Sequence, residues 1–367
     1  MHIATKKPDV RFAQLTVLAL AATMIPLSLS VGASASAKAA GPTLVVYSAQ
    51  GYDSATVKAF NATHPGFTVT LNDNSTGPLL QQIQAEGNHP TWGVLWVDGA
   101  QAFAQLDREG LLAKHIVPKV SFNTVGRANI PADGSYVPTG LTATGALVYD
   151  SAQIKASQLP KTWADLLKAK YKGILGMNDP TQSGPTYPLI AGVMNYLGHY
   201  RFGSTAAAVK AGEAYFTKLK ANGLVINATN GPTLSAIAAH TIKMAIIQSS
   251  AGYGAEVSTS PTFRVAYLNP VTALPGVIGI DAKMPKSVRA EAQKFVDYVL
   301  SPAGQHVMQI GDPQGDSLFW PVLNGEKPAN KVIPPLSTVP MQTTNPYVWG
   351  PLEPSINTWF SANINNG

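Results

Sequence analysis

The side chains of this chain best suited to chemistry lie in six polar loops. They are Ser48-Ala49-Gln50-Gly51, Asn72-Asp73-Asn74-Ser75-Thr76-Gly77, Asp98-Gly99, Asn178-Asp179-Pro180-Thr181-Gln182-Ser183-Gly184, Asn227-Ala228-Thr229-Asn230-Gly231 and Gln248-Ser249-Ser250-Ala251-Gly252-Tyr253. Three of them contain one device, a polar residue followed by Gly-Pro and then a helical pattern: Thr76-Gly77-Pro78, Ser183-Gly184-Pro185 and Asn230-Gly231-Pro232. Proline suits the first helical position, and Ser, Thr or Asn before it can cap free amides. The same start leaves N–H groups unpaired at the positive end of the helix dipole, which favours an anion. Three converging starts would hold an oxyanion without lysine or arginine, whereas one alone reads as an ordinary capped helix.

Enzyme constellations are poor. Asp73, Asp98 and Asp179 are the carboxylates available for acid–base work, and each also reads as a turn or cap residue. His64, His89, His115, His199, His240 and His306 are scattered, with no H-E-x-x-H spacing for zinc. The Gln248 to Gly252 stretch lacks the leading glycine of a nucleophile elbow, and no G-K-[ST] phosphate loop occurs. With no cysteine among 367 residues, disulfides, thiolate metal sites, iron–sulfur clusters and cysteine nucleophiles are excluded. The expectation is a binding protein without catalytic residues, resident metal or cofactor.

Such loops need strands that end on them. Short apolar runs supply candidates at 44–47, 67–71, 94–97, 146–149, 174–177, 224–226, 244–247, 263–268 and 277–280. Amphipathic stretches lie between most of them, the clearest placing Val288, Ala292, Phe295, Val296, Val299 and Leu300 on one face. Alternating strands and helices predict an α/β protein with largely parallel sheets, in which ligands bind beyond the carboxyl ends of the strands. So many strands exceed one comfortable core, so two lobes are expected, with crossings at Pro138–Gly145 and at Asn269–Gly276. The first lobe would then be discontinuous, 41–145 plus 276–311, the second would span 146–275, and 312–367 would wrap the surface with one helix near Ser355–Phe360.

Residues 1–40 have a basic start (Lys6, Lys7, Arg11), an apolar stretch from Leu15 to about Val31 and a small-residue tail with A-x-A choices ending at Ala35, Ala37 or Ala39. This is the layout of a cleaved secretory signal peptide. The apolar stretch, broken by Pro26, is shorter than the ~20 residues of a spanning helix. Without cysteine a lipoprotein anchor is chemically impossible, and the periplasm is the expected compartment. The net charge of +6 loses half its value once that leader is set aside, and no dense basic run follows, which argues against nucleic acid as a partner. Nothing in the sequence demands a subunit interface, so a monomer is expected.

An ordered set of segments resembles the family 1 extracellular solute-binding proteins of ABC importers, in the branch of the iron(III)- and 2-aminoethylphosphonate-binding proteins. The set comprises Leu44-Val45-Val46-Tyr47-Ser48-Ala49, Phe60 with His64-Pro65-Gly66, Asp73-Asn74-Ser75-Thr76-Gly77 and Gly110-Leu111-Leu112. It continues through Pro160 to Leu166, Asn178-Asp179-Pro180 with Ser183-Gly184, and Ser301-Pro302-Ala303-Gly304-Gln305. The resemblance implies the two-lobed class II periplasmic-binding-protein fold, each lobe a mixed, mostly parallel sheet flanked by helices. Hinge strands would join the lobes, a small ligand would sit between them, and an inner-membrane ABC permease would be the partner.

Ser75-Thr76-Gly77 and the loop from Pro180 to Thr186 resemble the branch's ligand motifs, so the resemblance makes Ser75, Thr76, Gly77, Ser183, Gly184 and Thr186 the first oxyanion contacts. Ser48, Gln50, Asn230, Ser249 and Tyr253 are further candidates, and Asp98, with Asp179 behind it, would receive a ligand amine. The expected ligand is a small polar anion, a phosphonate such as 2-aminoethylphosphonate. A ferric receptor remains an alternative in which Tyr187, Tyr253 and Tyr267 could serve, although the tandem tyrosine of those relatives is reduced to Tyr253 here. A secreted hydrolase using Asp98 or Asp179 is the remote alternative.

Overall fold

The computed structural model describes residues 43–63, 66–202 and 204–365; the leader, and His64 with Pro65, lie outside the described residues. The first elements are β1 (Thr43–Ser48), α1 (Asp53–Thr63), β2 (Thr68–Asp73), α2 (Thr76–Glu86), β3 (Val94–Asp98) and α3 (Ala100–Arg108), then α4 (Thr124–Ala128) and β4 (Tyr136–Asp150). There follow β5 (Leu175–Asn178), α5 (Thr186–Phe202), α6 (Thr205–Ala221), β6 (Val225–Asn227), α7 (Asn230–Ala238), β7 (Met244–Ile247) and α8 (Ser249–Gly254). The chain closes with β8 (Phe263–Ile280), α9 (Lys286–Val299), α10 (Pro302–Gly311), β9 (Met341–Gln342), α11 (Pro346–Trp349) and α12 (Glu353–Phe360).

The strands form one sheet in the order β2-β1-β3-β8-β4-β7-β5-β6, with β9 beside β8. The flanking sets are parallel, β1 against β2 and β3, β5 against β6 and β7. Their strands are short apolar runs because helices cover both faces, as in Val94 to Val97 of β3, which are wholly buried. The centre is antiparallel: β8 pairs β3 and β4, and β4 pairs β7. This is an α/β fold with two halves, but the sheet is continuous through both. The reason is length. At roughly 3.3 Å per residue, β4 with 15 residues and β8 with 18 are long enough to serve both halves.

The strands expected at 263–268 and 277–280 are therefore one strand, and the run expected at 146–149 is the end of a longer one. Pro270 and Pro275 read as breakers in sequence, yet β8 runs past both; Pro275 is paired with Leu141 of β4, while residues 268–271 around Pro270 have no partner on β4. The pairing shifts register between Pro138 and Gly140 and between Thr144 and Ala146. Both expected crossings fall on this irregular stretch.

The main cores lie on either side of it. One packs Val46, Phe60, Trp96, Val271, Phe295 and Phe319, and the other packs Trp163, Tyr187, Met194, Phe216 and Phe360. On α9 the periodicity is realised as read, with Ala292, Phe295, Val296 and Val299 buried. The C-terminal segment touches both cores: Leu318 to Trp320 join the first, while Trp349, Ile356 and Phe360 join the second. Between them β9 pairs with Val271 and Thr272 of β8. Among the described residues no helix is long and apolar enough to cross a membrane.

Candidate functional site

The ends of β1, β2, β3 and β5 and the starts of α2, α5 and α7 meet where the halves face each other. The helices do not begin at their prolines. Helix α2 starts at Thr76 and α7 at Asn230, each two residues before its proline, and α5 starts at Thr186, one residue after Pro185. A missing N–H is harmless anywhere in the first turn, so Gly-Pro marks the turn but not the first position. Ser75 and Thr229, rather than Thr76 and Asn230, thus become the N-caps, and neither side chain makes a capping hydrogen bond.

Helix α2 comes into direct contact with the loop before α5. A Cβ on Gly77 would lie 2.0 Å from the Thr181 carbonyl oxygen, and one on Gly184 would lie 2.2 Å from Thr76 Oγ1. Only glycine permits so close an approach at these points. The starts of α5 and α7 are tied together by Asn178, the last residue of β5. Its Nδ2 donates to Ser183 Oγ (3.2 Å) and Asn230 Oδ1 (2.7 Å), and its Oδ1 accepts from Thr233 Oγ1 (2.6 Å). Asn178, Ser183 and Thr233 are buried. The chain thus brings the three helix starts into one junction, and Ser183 Oγ, already accepting, keeps its proton to donate. Thr186 is buried at the first position of α5.

At the end of β3, Asp98 Oδ1 accepts from Gln50 Nε2 (3.1 Å) and Oδ2 from Gln248 Nε2 (2.9 Å). Gln50 is itself oriented by Tyr52, whose hydroxyl donates to Gln50 Oε1 (2.5 Å). A second carboxylate enters from the C-terminal segment. Asp316 accepts from the Gly51 N–H (2.9 Å), and the Ser250 hydroxyl points to it at 3.4 Å. Burial pushes the Asp98 carboxyl up, and Asp316 pushes it the same way; burial likewise raises Asp316, with Asp312 adding to it. Asp53, at the start of α1, is pushed up to about 6 by burial. Among the described residues none of these carboxylates has an ion-pair partner.

The remaining sequence candidates have structural tasks. Ser48 Oγ accepts from the Gln50 N–H (3.2 Å) and shapes the loop after β1. Ser249 Oγ accepts from the Ala143 N–H (3.1 Å), pinning α8 to β4. Both oxygens of Asp179 are taken, Oδ1 by the N–H and hydroxyl of Thr181 and Oδ2 by Asn365 Nδ2, each at 2.8 Å, so it is a turn residue tied to the tail. Tyr187 is fully buried and donates to the Trp349 carbonyl, away from the cleft. The hydroxyls of Tyr253 and Tyr267 bond to each other. Burial pushes Tyr253 strongly up and Tyr267 up to about 12. Among the described residues no group of three or more His, Cys, Asp or Glu could hold a metal ion.

Sequence reasoning missed Asp316 and the linking role of Asn178. Asp316 sits in Gly311-Asp312-Pro313-Gln314-Gly315-Asp316, which has the composition of a surface turn and no periodicity to mark it.

Residues 55–314 match the family of bacterial extracellular solute-binding proteins, and the chain belongs to that family. It is 24% identical over 292 residues to the Fe(3+)-binding periplasmic protein of Serratia marcescens, covering 79% of this chain and 82% of that one. It is 26% identical over 247 residues to a putative 2-aminoethylphosphonate-binding periplasmic protein of Salmonella typhimurium strain LT2, covering 65% and 66% respectively. Among solved structures, iron-bound HitA from Pseudomonas aeruginosa superposes with a TM-score of 0.70 at 22% identity, over 86% of this chain and 98% of that one. AfuA from Actinobacillus pleuropneumoniae, with fructose-6-phosphate bound, gives 0.73 at 18% identity over 89% and 99%. These likenesses establish the fold of a periplasmic binding protein.

Proposed function

We propose that this protein captures a small zwitterionic solute, an aminoalkylphosphonate such as 2-aminoethylphosphonate, between its halves and delivers it to an inner-membrane ABC permease. One observation carries the reading. The joined starts of α2, α5 and α7 offer hydroxyls and helix amides to an oxyanion, and the cleft also holds Asp98 and Asp316, which form no ion pair among the described residues. A purely anionic ligand would face those carboxylates, whereas an ammonium group offsets them. Ser75, Thr76, Ser183 and Thr186 take the oxyanion and Asp98 the amine. Selectivity comes from neutral donors in a closed, water-poor site, where hydrogen bonds are strengthened. The protein works as a monomer in the periplasm after loss of residues 1–40, catalyses nothing and needs no cofactor. The name of the Salmonella typhimurium relative supports the ligand class.

The test begins by unfolding and refolding the mature protein to strip carried ligand. A thermal-shift panel then compares 2-aminoethylphosphonate, phosphate, other phosphonates, fructose-6-phosphate, ferric citrate, putrescine, thiamine and sugars. At 100 times Kd a ligand adds about 2.7 kcal/mol, a shift of several degrees at this size. A response to aminoalkylphosphonates above phosphate is expected. A response confined to ferric citrate, with a visible phenolate-to-iron band, would replace this reading with the ferric receptor. Turnover of a phosphate or phosphonate ester that is lost in Asp98→Asn would replace it with a hydrolase.

A further inference from the structure

A cavity of about 540 Å³ lies beside β4 and shares no lining residue with the interlobe site. That volume falls in the range of small-molecule pockets, roughly 300–1,000 Å³. The first half contributes Ala100 at the start of α3, residues 129–131 after α4, and the buried Tyr136 of β4. The second half contributes Asn195 of α5, and residues 343–347 of the C-terminal segment complete the lining. That segment is anchored to both halves. Gln342 Nε2 donates to the Gly192 carbonyl of α5 (2.8 Å), and Gln101 Nε2 of α3 donates to Thr344 Oγ1 (3.0 Å).

The polar lining is neutral and offers both donors and acceptors. Among the described lining residues there is no Lys, Arg, His, Asp or Glu. Asn129 Nδ2 is taken by the Val125 carbonyl (2.9 Å), which leaves Oδ1 to accept. Asn195 likewise keeps Oδ1, since its Nδ2 is the atom that reaches Gln342 Oε1, at 3.5 Å. Asn345 is the reverse: Oδ1 accepts from the Tyr347 N–H (3.0 Å), and Nδ2 is left to donate. Thr344 Oγ1, already accepting, keeps its proton to donate, and among the described residues the Thr343 hydroxyl has no partner. The carboxylate behind Tyr347 is already answered, because Asp107 accepts from the Tyr347 hydroxyl (2.7 Å) and pairs with Lys114. An ion entering this cavity would lose water without meeting a counter-charge, and a ligand with one polar group would bond one wall only. A hydroxyl both donates and accepts. We infer that the cavity is a second ligand site, for a neutral polyol of sugar size whose hydroxyls bridge Asn129 of the first half, Asn195 of the second and the Thr343-Thr344-Asn345 run.

The probes are glucose, galactose, mannitol and trehalose, titrated into the refolded protein by ligand-observed NMR. Glucuronate, glucosamine and cyclohexanol serve as anionic, cationic and single-hydroxyl matches. At least one polyol is expected to bind about tenfold more tightly than any match, the worth of about one net hydrogen bond. Asn195→Leu, which removes the second half's polar contribution to the lining, should weaken that polyol by about tenfold. Thr343→Trp, which fills the cavity from an exposed position, should weaken it at least as much. Ser183→Ala, in the interlobe site, should leave its affinity unchanged. Failure of all the polyols to bind, or equal binding of a charged match, overturns the proposal. So does a polyol whose affinity falls in Ser183→Ala but survives both Asn195→Leu and Thr343→Trp, since it would then sit in the cleft.

Discussion

Gln248, immediately after β7, donates to Asp98, at the end of β3, across 2.9 Å, so a neutral amide from one half of the molecule meets a carboxylate from the other. The same loop sends the Ser250 hydroxyl towards Asp316. Two carboxylates are thus held against weak, uncharged donors. That arrangement costs stability when both are ionised and favours any ligand that brings positive charge.

Stability should therefore fall as pH rises. Asp98, Asp316, Asp53 and Glu353 all hold their protons to higher pH in the folded protein than a free carboxyl near pH 4 does, Asp53 to about 6 and Glu353 to about 8. Between those limits the folded state binds more protons than the unfolded chain. Its extra stability is complete below about pH 4 and is lost as pH climbs towards 8. Each retained proton adds a slope of up to about 1.4 kcal/mol per pH unit. Asp133, Asp150 and Asp165, which hydrogen bonds and nearby cations hold low, oppose this only in more acid solution. Calorimetry from pH 4.5 to 8.5 should show the ligand-free Tm declining by several degrees; a Tm that rises over this range would contradict the burial of these carboxyls.

Asp316→Asn should raise the ligand-free Tm at pH 8 and flatten that decline. The amide can still accept from the Gly51 N–H, and the repulsion with Asp98 disappears. A gain of about 1 kcal/mol is expected, about the value of one relieved pKa unit. If the cleft receives an ammonium group, the same variant should bind it more weakly, so stability and affinity should move in opposite directions.

Gly77→Ala should shift the protein towards an open arrangement. The added Cβ meets a backbone oxygen, that of Thr181, at 2.0 Å, and backbone yields less readily than the Thr76 side chain that Gly184→Ala would meet. Because the clash lies between the halves, separating them relieves it. Alanine also favours α2 itself. Gly77→Ala should therefore weaken ligand binding by at least about tenfold with little loss of Tm, with Gly184→Ala milder, and small-angle scattering should report a larger radius of gyration. An unchanged radius together with unchanged affinity would show that the contact plays no part in closure.

The sequence revealed the local parts of this molecule more readily than their connections. Strand cores such as Val94 to Val97 and the apolar face of α9 declare themselves because burial on fixed faces requires periodicity. The merged strand β8 does not, since Pro270 and Pro275 carry a strong local signal for a break, whereas its continuity rests on long-range partners in β4 and β9. In the site, the glycines and hydroxyls before α2 and α5 were legible through their turn chemistry. Asp316 was not, because its place beside Asp98 arises from the path of the C-terminal segment across both halves, a long-range arrangement with no local imprint. Tyr187 and Asp179 show the same long-range effect. Their residue types suit a ligand, but partners in that same segment, Trp349 and Asn365, occupy them.

Asn178 separates the scaffold of the site from its contacts. Its side chain makes three hydrogen bonds in a buried setting, and Ala in its place would leave Thr233 Oγ1 without its acceptor and Ser183 and Asn230 without their common donor. Asn178→Ala should cost about 1–3 kcal/mol of stability and release the starts of α5 and α7, weakening ligand binding as well. Ser183→Ala removes one hydroxyl that also serves the proposed oxyanion, so it should cost little Tm but about 1–3 kcal/mol of binding, as expected for a hydrogen bond to a charged group. Ser75→Ala, which sacrifices no capping bond, should behave like Ser183→Ala. Parallel melting and titration of the three variants therefore distinguishes support from contact. Unchanged affinity in both serine variants would remove the oxyanion from the junction of the helix starts, even if Asn178→Ala destabilised the fold as expected.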